Sequence, residues 1–206
     1  FLFSKMTVIF MAIIIGTAFV YGQIFSEEEG KAALVALFAM STYMQMFSEG
    51  MGRFSWELSK PYLYLIPEPP FKKLLMATAE TLLADCLEAV VIYVPVSAIL
   101  GLDPLTCVLC ILARISFALL FTSGNIMVER VFGTVRSKGL MLFFYFIALI
   151  LLALPGLGLG LGLNISGILP GSAGTLLGII AGNIPVALIV MFLCRNLLQY
   201  AELNGK

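Results

Sequence analysis

Six long apolar runs constrain the fold of this chain more than any other feature. They cover approximately residues 6–25, 32–47, 74–101, 104–127, 139–163 and 173–194. A helix needs about 20 predominantly apolar residues to cross the hydrocarbon core of a bilayer. The second run is shorter, so we expect its helix to include flanking residues or to tilt little. The pattern therefore predicts an all-α fold, a polytopic membrane bundle of about six transmembrane helices.

The scarcity of charge supports the same prediction. Only 12% of the 206 residues are charged and 61% are hydrophobic, whereas a soluble domain carries about 25% charged residues. Too few polar side chains remain to cover a water-facing surface, so much of the surface must face lipid. We expect residues 1–206 to form a single transmembrane domain. Because the chain starts at Phe1, next to the first run, we also expect it to be an N-terminally truncated fragment.

The positive residues predict the topology. If the chain starts on the cytoplasmic side, ten of the twelve Lys and Arg residues fall on that side. They are Lys5, Arg53, Lys60, Lys72, Lys73, Arg130, Arg136, Lys138, Arg195 and Lys206. The outside receives only Lys31, and Arg114 lies within a run. The positive-inside rule then predicts a multi-pass protein of the cytoplasmic (plasma) membrane with both termini cytoplasmic.

Several functional classes are disfavoured by residues that are missing. The chain has no histidine, and its four cysteines all lie in apolar stretches, where they suit buried packing better than a metal or redox site. A Gly-x-x-x-x-Gly-Lys-Ser/Thr phosphate loop is absent, so the chain hydrolyses no ATP by that route. There is no basic stripe for nucleic acid. We therefore expect no catalytic residue, no metal site, no cofactor and no nucleic-acid partner for this chain.

The glycine-rich segment between the last two runs is ambiguous. Its composition from Gly156 to Ser172 favours a partly inserted or surface loop instead of a continued helix. Gly158 and Gly162 have the four-residue spacing of a close helix crossing. A flexible outer segment explains the same glycines equally well.

Residues 48–73 form the longest predicted cytoplasmic segment. Phe54, Leu58, Tyr62 and Leu65 recur at three- to four-residue spacing, with charged residues between them. Such a helix lies along a membrane surface or against a partner with its apolar face down. By residue pattern alone, an ordinary interfacial segment between two spans is the favoured interpretation.

The run from Trp56 to Leu74, WELSKPYLYLIPEPPFKKL, also resembles the first intracellular loop of ABC-2-type exporter permeases. The likeness is greatest to the "putative ABC exporter" family of Gram-positive bacteria, and it covers the order of spans from this loop to the end of the chain. In that family an acidic helix, a Leu/Ile-Pro turn and a basic residue lead into the next span. The helix is the coupling helix, which docks on the nucleotide-binding subunit.

The resemblance implies specific contacts with an ATP-binding subunit. The residues implied are Trp56, Glu57, Leu58, Lys60, Tyr62, Leu63, Pro67, Lys72 and Lys73. Trp56 and Tyr62 are the candidate aromatic anchors of this docking face. Permeases of this class also carry an amphipathic helix before the first span, and the present sequence begins too late to show it.

The resemblance further implies that the chain is the permease subunit of an ABC-type exporter and not itself an enzyme. ATP and Mg would bind to the partner subunit, and two permeases would form a homo- or heterodimer in the lipid bilayer. The substrate is not identifiable from these residues. Two alternatives stay open: a self-sufficient secondary transporter or channel, and a membrane scaffold protein without transport activity.

Charged residues within the runs point to an ion pair inside the membrane. Asp85 and Glu88 lie in the third run and Arg114 in the fourth, and the short turn at 101–104 makes the two runs antiparallel neighbours. Counting equally from that turn brings Arg114 within one helical turn of Glu88. Because an unpaired charge at the centre of a helix costs roughly 2.5–3.5 kcal/mol on insertion scales, we predict an Arg114–Glu88 pair, with Asp85 as second candidate. A structural clasp between helices is favoured over a polar lining of a translocation path.

Overall fold

The computed structural model describes residues 5–24, 27–50, 68–132, 138–167 and 172–196, and these residues form helices without any β-strand. The helices are α1 (Lys5–Ile24), α2 (Glu27–Gly50), α3 (Pro70–Leu100), α4 (Pro104–Phe132), α5 (Lys138–Ile165) and α6 (Ser172–Leu193). Each overlaps one of the six apolar runs. The prediction of an all-helical bundle is thus confirmed.

Four of the helices, α3 to α6, are long and apolar enough to cross a membrane. In α1 the apolar stretch Thr7–Gln23 is shorter. The helix α2 spans 24 residues but places Ser41, Gln45 and Glu49 among its apolar side chains. A membrane-spanning role for α1 and α2 therefore stays a prediction.

The turn between α3 and α4 explains why these helices are neighbours. Pro70 occupies the first turn of α3, where its missing N–H is tolerated. At the other end Gly101 adopts a left-handed conformation with φ 62°, and its N–H donates to the carbonyl of Ser97. Only two further residues separate it from Pro104, the first residue of α4. The connection is so short that the two helices pack antiparallel.

The helix α4 lies at the centre of the bundle and contacts α2, α3, α5 and α6. Its Ala113, Ala118 and Leu120 side chains are fully buried. The outer surface of the bundle is apolar instead: Leu83 on α3 and Ile150 on α5 are both more than 60% exposed. A bundle with large exposed apolar side chains on its periphery suits a lipid surrounding.

The helix α5 continues through Ile165, so the prediction of a loop starting at Gly156 was wrong. A continuous helix satisfies the backbone hydrogen bonds of this segment internally, which an apolar surrounding demands. The closest approach to α6 uses Gly156 and Gly160, which face Gly182 and Gly178 respectively.

The glycines at 158 and 162, which carried the predicted spacing for a helix crossing, have nothing within 4 Å of the place where a Cβ would stand. A Cβ on Gly178, by contrast, would lie 2.5 Å from the Cα of Gly160. Of the two interpretations left open, the close helix crossing is the one that the structure shows, but it uses the glycines two residues earlier. Four glycines let the backbones of α5 and α6 touch, as small residues do in membrane helix pairs.

Candidate functional site

Six buried polar residues collect where α2, α3 and α4 meet, and we call them the polar cluster. They are Ser41, Gln45 and Glu49 of α2, Asp85 and Glu88 of α3, and Arg114 of α4. Each is at most 3% exposed. Charged residues are almost never fully buried unless they are paired, and ionisable residues inside a membrane bundle are candidates for a functional site.

The guanidinium of Arg114 joins three helices. Its Nη2 lies 3.6 Å from Oε2 of Glu88 on α3, and its Nη1 donates a hydrogen bond of 2.7 Å to the carbonyl of Ser41 on α2. The structure thus brings together Glu88 and Arg114, the two residues of the predicted ion pair. Asp85 lies about one turn nearer the start of α3 and is 1% exposed. A role of these charges in transport stays a hypothesis.

Ser41 is a second junction within the polar cluster. Its Oγ lies 2.6 Å from the hydroxyl of Tyr93 on α3, and the Ser41 Oγ also lies 3.0 Å from the carbonyl of Phe38. Further along α2, the side-chain amide of Asn125 on α4 donates to the carbonyl of Glu49 at 3.2 Å. The helix α2 is therefore held to its neighbours by polar contacts at two levels.

The contribution of α2 was missed by sequence reasoning, although a signal was present. Ser41, Gln45 and Glu49 are spaced four residues apart, and residues at this spacing share one face of a helix. The apolar residues that dominate the run at 32–47 obscure this polar face, which extends beyond the run to Glu49. Their burial shows that this face is turned into the bundle.

Tyr93→Phe is expected to lower the stability of the protein by about 1 kcal/mol, the net value of one ordinary hydrogen bond. The loss stays small because Ser41 can still donate to the carbonyl of Phe38. Thermal unfolding of the purified protein in lipid nanodiscs measures the effect. Tyr43→Phe serves as the matched control, since Tyr43 is 54% exposed. An equal shift of Tm in both variants would contradict this role of the Tyr93 hydroxyl.

Most residues assigned to the predicted coupling helix lie outside the described residues. These are Trp56, Glu57, Leu58, Lys60, Tyr62, Leu63 and Pro67. Lys72 and Lys73 fall in the first turn of α3. The Nζ of Lys72 lies 3.0 Å from a carboxylate oxygen of Glu68, and the Lys72 side chain is 55% exposed. An exposed pair of this kind contributes little stability, so Lys72 is available for an external contact.

Metal-binding groups are not assembled in the part of the chain that the structure describes. No three His, Cys, Asp or Glu residues come together there in a way that could hold a metal ion. The four cysteines are all free thiols. One of them, Cys107, lies with its Sγ 3.5 Å from the carbonyl of Tyr93. The contacts that the structure describes at the polar cluster are an ion pair and hydrogen bonds between helices.

Comparison with known proteins assigns the chain to a protein family. The family model described as "Putative ABC exporter" matches residues 1–202, which is nearly the whole chain. No significant match was found among curated proteins or among solved structures.

Proposed function

This chain belongs to the putative ABC exporter family, and on that premise we propose that it is the transmembrane permease subunit of an ABC-type exporter. Family membership supports a transport role in general and an ATP-binding partner in general. The observation that carries the proposal is the extent of the match, residues 1–202, which includes the apolar helices and the segment between α2 and α3.

The sequence supports separate roles for this chain and for the proposed ATP-binding subunit. Without a phosphate-binding loop, the chain relies on ATP and Mg bound to the partner subunit, and it is a transport subunit instead of an enzyme. We also propose a dimer with a second permease, which is the arrangement that the family resemblance implies. The excess of Lys and Arg at one end of the helices supports an orientation with both termini in the cytoplasm.

The position of the segment 48–73 supports a role in coupling. This segment connects α2 to α3, and these two helices supply Ser41 and Glu88, the partners of Arg114. Force applied to the segment by an ATP-binding subunit would act on α2 and α3 together. Through Arg114 it would then reach α4, which contacts α2, α3, α5 and α6. Within the helices, this proposed path runs through the Arg114 contacts with Ser41 and Glu88.

The double variant Glu57→Ala with Tyr62→Ala is expected to lose most of the co-purifying ATP-binding subunit. Both residues belong to the proposed docking face, and aromatic anchors dominate the energy of many interfaces. Affinity purification of the tagged chain from its native membrane, with quantification of the subunit by mass spectrometry, measures the loss. The double variant Asp103→Ala with Tyr21→Ala is the control, because these residues lie near the opposite end of the helices. Full retention of the subunit by the docking-face variant would contradict the proposed site.

One alternative is favoured by a specific observation, the buried Glu88–Arg114 pair. Paired charges within membrane helices also occur in ion-driven transporters. The purified chain alone would then carry out transport driven by a proton or sodium gradient in vesicles. The exporter proposal predicts no such transport in the absence of the ATP-binding subunit.

A further inference from the structure

A small cavity lies beside the ion pair, where α1, α2, α3 and α4 meet. Gln45, Glu88 and Arg114 contribute polar groups to its lining, and Met11 and Ile92 are among the apolar side chains around it. The volume of the cavity is about 10 Å³. A space of this size accommodates about one water molecule. The lining thus combines polar and apolar groups, and the cavity is too small for an organic ligand.

Gln45 lines this cavity, and its buried side-chain carboxamide needs hydrogen-bond partners. It is 2% exposed, and in the part of the chain that the structure describes neither its Nε2 nor its Oε1 has a hydrogen-bond partner. The Nε of Arg114 is buried without a partner as well. Buried polar groups of folded proteins are nearly always hydrogen-bonded. A carboxamide that both donates and accepts therefore calls for a ligand that does the same.

The charges in the lining select among small ligands. A metal cation would be attracted by the carboxylate of Glu88 but repelled by the guanidinium of Arg114, and the reverse holds for an anion, so the lining favours neither charge. A neutral molecule that donates and accepts hydrogen bonds suits both charges. Of such molecules, water fits a volume of about 10 Å³.

We propose that the cavity is an internal hydration site, in which a water molecule is held by Gln45, Glu88 and Arg114. The distance of 3.6 Å between the charged atoms of the pair exceeds an ordinary direct hydrogen bond. A bridging water is enthalpically nearly as good as a direct bond. The proposed water would lie within the bundle, and its site does not depend on what the chain transports.

Radiolytic footprinting by a synchrotron X-ray pulse tests the proposal. The pulse generates hydroxyl radicals from bound water, and these oxidise the side chains next to it. Met11 lines the cavity and is 7% exposed, whereas Met191 is fully buried in a separate apolar cluster. For the protein in lipid nanodiscs, we expect Met11 to oxidise several-fold faster than Met191. Equal oxidation rates for the two methionines would overturn the proposal.

The variant Gln45→Leu tests the residue assignment. It removes both hydrogen-bonding groups of the carboxamide, so the Met11 oxidation rate should fall several-fold toward that of Met191. Thr122→Val is the matched control, because Thr122 is equally buried in α4 and does not line the cavity. An unchanged Met11 rate in a folded Gln45→Leu protein would contradict the role of Gln45. If that variant does not fold, the comparison of Met11 with Met191 in the wild-type protein decides the matter.

Discussion

Arg114→Leu is expected to destabilise the bundle by about 3–5 kcal/mol, the usual cost of breaking a buried ion pair by removing one of its members. The substitution removes the cationic partner that Arg114 provides to Glu88, and also the donor to the carbonyl of Ser41. Both groups would remain buried, since Glu88 is 3% exposed and Ser41 is fully buried. We therefore expect poor yield, a strongly lowered Tm and loss of the assembled complex.

A double-variant cycle separates the pair from the general effect of a leucine at this position. Glu88→Leu combined with Arg114→Leu removes both charges, so the double variant should be more stable than Arg114→Leu alone. Arg195→Leu is the control for loss of a positive charge, because Arg195 is exposed next to Phe192. Thermal unfolding of all variants in the same nanodiscs measures the cycle. Additive losses from the two single substitutions would contradict an energetically coupled pair.

Gly178→Ala and Gly158→Ala are expected to have effects of opposite kind, although the chemical change is identical. A Cβ on Gly178 would lie 2.5 Å from the Cα of Gly160 and 2.6 Å from its backbone nitrogen. Because backbone atoms cannot rotate away as a side chain does, α5 and α6 must separate. Overpacking of this kind costs about 1–3 kcal/mol. At Gly158 the same Cβ meets nothing within 4 Å, and alanine is the better helix former by about 0.8–1.0 kcal/mol in water.

The Tm of each alanine variant in nanodiscs decides between the two glycine faces. Gly178→Ala should lower it and Gly158→Ala should leave it unchanged or raise it. A second pair, Gly182→Ala against Gly162→Ala, repeats the comparison one turn further along, because Gly182 also abuts the backbone of Gly156. Equal effects on both faces would show that α5 and α6 do not cross as closely as described.

Residue order along the chain allowed the helices and the ion pair to be predicted. Apolar length alone located the six helices to within a few residues at most ends, since a long apolar segment must satisfy its own backbone hydrogen bonds. The Arg114–Glu88 contact could be predicted because a two-residue link after Gly101 fixes how α3 and α4 run beside each other. The helices and the ion pair could be predicted because both depend on consecutive segments of the chain, not on contacts between distant helices.

What could not be predicted depends on the rotation of each helix about its own axis. The glycines at 156, 158, 160 and 162 alternate along one segment, and only packing against α6 determines which pair makes the contact. For Gln45, the four-residue spacing with Ser41 and Glu49 indicates a shared polar face, but the neighbours that this face meets follow from how α2 packs. No local pattern distinguishes an inward face from an outward one when leucine and glycine suit both. The predicted docking residues around Trp56 remain a prediction for experiment.

ATP hydrolysis by the purified assembly tests the central claim most directly. The tagged chain, isolated from its native membrane and placed in nanodiscs, should carry an ATP-binding subunit and hydrolyse ATP with sensitivity to vanadate. The same chain produced alone should hydrolyse none, because it lacks a phosphate-binding loop. Isolation of a well-folded chain that carries no ATP-binding subunit, shows no ATPase activity and transports an ion on its own would contradict the account.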